Sequence, residues 1–206
     1  MKIGITINEV LRGFISQLAY TYDKYIGPLD IKEDEVTNFN LIEFFKFDDI
    51  NKLNNFIYLE APMEIFAHAD QLSENLMTYF NRFVEDMKDD GEHQIQLISR
   101  EVNKAIPSTL FFLSKTACMV TDIKFVPNYA NKWDDIDILI TANPIALEAK
   151  PSGKISVKVK ASYNTNIPAD YEIDSILDFI KNEDLRNKIL NTNKRNKGWL
   201  KGRIEN

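Results

Sequence analysis

The chain has 206 residues, 44% hydrophobic and 27% charged, the proportions of a globular protein with one sizeable core and room for an insertion. Seven Gly and seven Pro exclude a collagen-like or low-complexity chain, the single Cys118 excludes an internal disulfide, and no apolar run of about 18 residues offers a membrane span. The net charge of −6 is unevenly spread: residues 186–206 carry seven basic side chains and one acid, whereas the first 185 carry 18 basic and 30 acidic ones.

Met1–Asn8 alternates, with Ile3, Ile5 and Ile7 on one face, and reads as a strand entering a turn. Phe14, Ile15, Leu18, Tyr22, Tyr25 and Ile26 recur at helical spacing and stop at Gly27-Pro28. Residues 29–73 break into short apolar clusters separated by Asn and Asp, which predicts short helices and loops. Leu76, Met77, Phe80, Phe83, Val84 and Met87 mark an amphipathic helix ending near Gly91. His93–Ser99 reads as a strand, and Ser108–Ala117 as a helix opened by Pro107. Ile123–Val126, Ile136–Ile140 and Ile155–Val159 read as three further strands, with a helix-forming stretch at Pro144–Ala149 and a last helix over Leu177–Leu190. Strands alternating with helices predict an α/β domain with a mainly parallel, Rossmann-like sheet.

Two stretches, Lys2–Phe14 (KIGITINEVLRGF) and Asp137–Asn164 (DILITANPIALEAKPSGKISVKVKASYN), carry a resemblance when taken together. They resemble the haloacid dehalogenase superfamily, in particular its 5′(3′)-deoxyribonucleotidase branch, through Val10, Leu11 and Phe14 in the first stretch. In the second, the match lies in Ile138–Ile140, Asn143, Pro144, Leu147, Glu148, Gly153, Tyr163 and Asn164. The resemblance implies an α/β core formed by residues 1–14 and 91–185, a helical cap inserted over 15–90, and a basic C-terminal arm over 186–206.

It also implies where catalytic residues should stand, and there the chain departs from the pattern. Thr6 occupies the place of the family's nucleophilic Asp, Asn8 that of its general acid, and Thr141 and Ala142 those of the magnesium-holding acids. A threonine hydroxyl needs a base before it can attack, a carboxamide has no proton to transfer, and magnesium relies on carboxylate oxygens. The expectation is therefore of degenerate catalytic positions, no metal and no cofactor. Ser99 and Lys132 stand where the family holds the phosphoryl group.

The residues themselves also support plainer readings. Ser99 suits an N-cap for the following helix, and Lys132, beside Trp133 and Asp134-Asp135, suits a solvated loop. Glu9 offers a displaced carboxylate, although family members carry an acid there beside intact aspartates. Asp137 belongs to the strand frame, His68 and His93 lack zinc-ligand spacing, Cys118 reads as a small core residue, and there is no Gly-rich phosphate loop.

The function expected from these features is a catalytically inactive domain serving as a structural or interaction subunit, such as a bacteriophage ring, collar or tail component. Its partners would be other proteins or further copies of itself, engaged through Lys194, Arg195, Lys197, Trp199, Lys201 and Arg203. Nucleic acid is less favoured, since Trp199 alone is available to stack, and no membrane is implied. The expected location is cytoplasmic, or the virion if phage-encoded. Two alternatives stand beside it: a module that binds nucleotide or phosphate without hydrolysis, and an active phosphatase with relocated acids.

Overall fold

The structure, a computed structural model, describes residues 1–29 and 31–201, with the backbone alone for Glu33 and residues 193–201. The arm residues Lys194, Arg195, Lys197, Trp199, Lys201 and Arg203 therefore lie, by their side chains, outside the described residues.

Six strands form the sheet: β1 (Lys2–Thr6), β2 (Gln94–Ser99), β3 (Ile123–Phe125), β4 (Ile138–Thr141), β5 (Ile155–Val159) and β6 (Tyr171–Ile173). Their spatial order is β3-β2-β1-β4-β5-β6, and every pair is parallel. Parallel strands need crossovers and are covered on both faces, which is why β4 and β5 are buried at every position. Ile3 and Ile5 face the larger core on one side of the sheet. On the other side Ile98, Val126, Trp133, Ile136, Leu139 and Ala146 form a smaller cluster, and the Trp133 indole donates to the Ala146 carbonyl at 2.7 Å. Gly4 sits beneath this second cluster, where an added Cβ would lie 2.7 Å from Ile98 Cδ1.

The helices are α1 (Phe14–Tyr25), α2 (Ile50–Asn55), α3 (Leu76–Asp90), α4 (Ala105–Lys115), α5 (Pro144–Glu148), α6 (Ile176–Lys181) and α7 (Glu183–Lys201). Between α2 and α3 the chain widens into two π-helical turns, Phe56–Glu60 and Met63–Ala67, separated by Pro62. Proline supplies no backbone donor, so the ladder cannot run through at α-helical spacing.

Leu76–Asp90, expected within the inserted segment, forms α3, which packs on α6 and β2 with Phe83 edge-on to Phe179 at 5.6 Å; its wide apolar stripe needs the sheet to cover it. Two expectations change. The single helix expected over Leu177–Leu190 is two helices, because Asn182 leaves the helical conformation and its side chain accepts from Leu185 N at 3.0 Å. The short edge strand β6 was missed, since three residues present too little alternation to read.

The frame residues of the second stretch have local reasons. Asn143 accepts from Ala146 N at 2.8 Å, and Pro144 occupies the first helical position, where its missing N–H costs nothing. The Asn164 amide donates to the carbonyls of Ala142 (2.8 Å) and Val159 (2.9 Å), tying the ends of β4 and β5 together.

Candidate functional site

In an open parallel sheet, ligands bind beyond the carboxyl ends of the strands, where the chain order reverses direction. Here that place lies between β1 and β4. A cavity of about 300 Å³ opens there, with the core contributing Asn8 and Glu9 after β1, Ser99, Arg100 and Glu101 at the end of β2, and Asn143 after β4. Tyr129 and Lys132 complete the core side; Phe14 and Ile15 from α1 and residues between Phe39 and Tyr58 roof it.

The floor is a buried charge network. Arg12 is fully buried, and its Nη2 lies 2.8 Å from Glu101 Oε1. Its other donors reach Asn8 Oδ1 (3.0 Å), the Phe66 carbonyl (3.1 Å) and Thr109 Oγ1 (3.0 Å), while the rings of Phe66 and Phe112 flank the guanidinium. Burial pulls the Arg12 guanidinium below its ordinary value, and the Glu101 charge opposes that pull. Asn8 Nδ2 also donates to Glu101 Oε1 at 3.0 Å. Among the described residues Glu101 Oε2, although buried, has no hydrogen-bond partner.

Lys132 stands against the same cavity. It is 6% exposed, not the solvated loop lysine its neighbours suggested, because the turn Ala130–Trp133 folds inward on the buried Trp133 indole. Its Nζ lies 5.2 Å from the centre of the Tyr129 ring, and Arg100 packs on that ring at 4.6 Å. Desolvation pulls the Lys132 ammonium from 10.5 down to about 8; the Glu101 charge partly opposes this and Arg100 adds to it. Burial likewise pushes the hydroxyls of Tyr58 and Tyr129 up. Ser99 is buried at the same wall and caps no helix, since α4 begins only at Ala105 behind Lys104.

The structure thus brings Ser99, Lys132, Asn8 and Glu9 to one cavity, whose lining does not include Thr6, Thr141 or Ala142. Thr6 donates to Thr141 Oγ1 at 3.0 Å across the β1–β4 pair, and Ala142 is buried. These groups do not fit a magnesium ion: two hydroxyls already satisfy each other, the methyl of Ala142 has no donor atom, and Asn8 Oδ1 is occupied by Arg12. Glu9 sits at φ 56°, and its Oε1 accepts from Ile15 N at 2.7 Å, the role of a cap on α1. Asp137 Oδ2 accepts from Lys2 N at 3.0 Å, a strand-end contact. His93 meets Asp90 at 3.8 Å near the start of β2, at the opposite end of the sheet from the cavity.

Arg12, Arg100, Glu101 and Tyr129 were not read from the sequence as functional. The one available signal was position: Arg100 and Glu101 directly follow Ser99 at the carboxyl end of a strand, where ligand groups of parallel sheets gather.

No protein-family model and no curated protein sequence matches the chain. Solved structures do. A phosphonoacetaldehyde hydrolase-like protein from Oleispira antarctica superposes with a TM-score of 0.63 at 12% identity, covering 95% of this chain and 93% of its own. A haloacid dehalogenase-like hydrolase from Bacteroides fragilis gives 0.55 at 14% identity, with coverages of 85% and 97%. One from Burkholderia xenovorans LB400 gives 0.52 at 11%, with coverages of 89% and 96%. The chain therefore has the haloacid dehalogenase-like fold. The expectation of a non-enzymatic pseudoenzyme, a structural subunit of a phage virion, is corrected: these neighbours are named as hydrolases, and none is named as a particle component. No helix among the described residues is long and apolar enough to cross a membrane.

Proposed function

We propose that the chain is a hydrolase acting on a small phosphate ester, with the chemistry carried by Glu101 and Lys132. The observation that carries this reading is the convergence of the Lys132 ammonium, the Ser99 hydroxyl and the Glu101 carboxylate on one partly enclosed cavity at the switch point of the sheet. A desolvated ammonium gains most from an anion, because the charge it lost from water is returned by the ligand. Lys132 and Ser99 hold the phosphoryl oxygens. Arg12 and Asn8 fix Glu101 through Oε1, leaving Oε2 to take a proton from the attacking water. A P–O bond forms to that water, the ester P–O bond breaks, and the departing alkoxide receives the Lys132 proton.

The frame residues Val10, Leu11, Phe14, Asn143, Pro144 and Asn164 support the narrower kinship with the deoxyribonucleotidase branch. With Thr6, Asn8, Thr141 and Ala142 in place of its acids, the reaction runs without an aspartyl phosphate. The segment between α1 and α3 acts as the cap over the cleft.

The test is release of phosphate from phenyl phosphate by the purified chain, by Glu101→Gln and by Lys132→Met, each first shown to be folded by circular dichroism. Losing the general base is expected to lower kcat by about 10²–10⁴-fold. Turnover that survives Glu101→Gln at the native rate would overturn the assignment.

A further inference from the structure

We infer that the substrate's uncharged end is a compact apolar group, an aryl or branched alkyl, seated against Phe14, Ile15, Leu41, Ile50, Leu53 and Ile57. The inference rests on the reading of the Lys132 end as an anion site. Charge around the cavity is segregated: Glu9, Arg100, Glu101 and Lys132 come from the strand ends and loops of the sheet. Among the described lining residues from α1 to Tyr58, none is charged.

Polar groups on the roof side are few. Tyr58 is half-buried with its ring stacked on Phe66, centroids 6.0 Å apart, and burial pushes its hydroxyl up. Asn40 and Asn54 are exposed lining residues, and the Asn40 amide donates to Glu43 Oε1 at 2.8 Å. A sugar or other polyol in the inner space would leave its hydroxyls against aliphatic side chains, and each unpaired buried hydroxyl is costly. The volume of about 300 Å³ stands at the small end of ligand sites, which excludes an extended or polymeric substrate.

Calorimetric titration of the full chain with inorganic phosphate, methylphosphonate, 2-hydroxyethylphosphonate and phenylphosphonate tests this. Phosphonates keep the anionic end and vary only the arm. Phenylphosphonate is expected to bind about 10- to 100-fold tighter than methylphosphonate, from the added apolar area removed from water. Ile50, 48% exposed at the first turn of α2, can be changed without opening the core, and Ile50→Asp is expected to bring the phenyl-to-methyl ratio down towards one. If phosphate and methylphosphonate bind but the phenyl compound is no tighter than the hydroxyethyl one, the apolar arm is wrong while the anion site stands. If the native chain binds no phosphate at all, the reading of the site and this inference both fall.

Discussion

Replacing Arg12 by Met removes the cation from the floor of the cleft and leaves Glu101 buried with one weak donor, Asn8, on Oε1. The Asn8, Phe66 and Thr109 acceptors lose their partner in the same step. Breaking a buried pair from one side costs about 3–5 kcal/mol, because an uncompensated charge stays in a poorly solvating interior. For a domain of this size that corresponds to a fall in Tm of roughly 6–20 °C. Glu101→Gln alone strands Arg12 in the same way. The double variant Arg12→Met/Glu101→Gln strands neither charge, so its loss should be well below the sum of the single losses, by about 2 kcal/mol or more. Urea unfolding followed by circular dichroism, with unchanged m-values, measures all corners of the cycle. Additive losses, or an Arg12→Met cost under about 1 kcal/mol, would refute the network as the structural floor of the site.

Lys132 gives a pH signature of opposite sense to most ion pairs. Unfolded, it keeps its proton to 10.5, whereas folded it releases it at about 8. Between these values the unfolded chain binds more protons, so stability should rise with pH across that window, and the buried charge is a full burden below it. Lys132→Met should therefore remove that rise and raise Tm at pH 7 by several degrees while abolishing phosphate binding; thermal melts from pH 7 to 10.5 check it. Phosphate affinity of the native chain should decline above pH 8 as the ammonium is lost, which titrations across that range would read. Gly4→Ala forces a Cβ to 2.7 Å from Ile98 Cδ1 and 3.1 Å from Ile136, and should cost about 1–3 kcal/mol in urea unfolding, partly recovered by Ile98→Val. Glu9→Gln should keep turnover within a few-fold of native and lower stability only slightly, since its carboxylate caps α1; a large loss of kcat with intact folding would make Glu9 the missing acid.

The strands were legible because their signal is local. β5 has the predicted bounds, and β1, β2, β3 and β4 lie within two residues of theirs, each a short apolar or alternating run closed by turn residues. The frame of Asn143, Pro144 and Asn164 was legible for a similar reason, since capping and strand-end ties involve groups at most 22 residues apart. The two positions assigned to phosphoryl binding, Ser99 and Lys132, could be named from the resemblance, but their surroundings could not. Leu76–Asp90 shows the limit for helices: its apolar stripe was plain, yet which body it covers depends on α6, more than 80 residues further on.

Composition, period and turn chemistry by themselves determined an α/β chain with mainly parallel strands and a body more acidic than its C-terminal end. Only the tertiary structure decided what the cleft contains. Arg12 meets Glu101 across 89 positions of sequence, Thr6 meets Thr141 across 135, and Lys132, packed on its near neighbour Tyr129, lines one cavity with Ser99 and Glu101 from another strand end. Local order follows from each residue's own backbone preferences and nearest neighbours. The charge state and reactivity of a side chain follow from the dielectric and partners around it, and those are set by elements the chain brings together only when it folds.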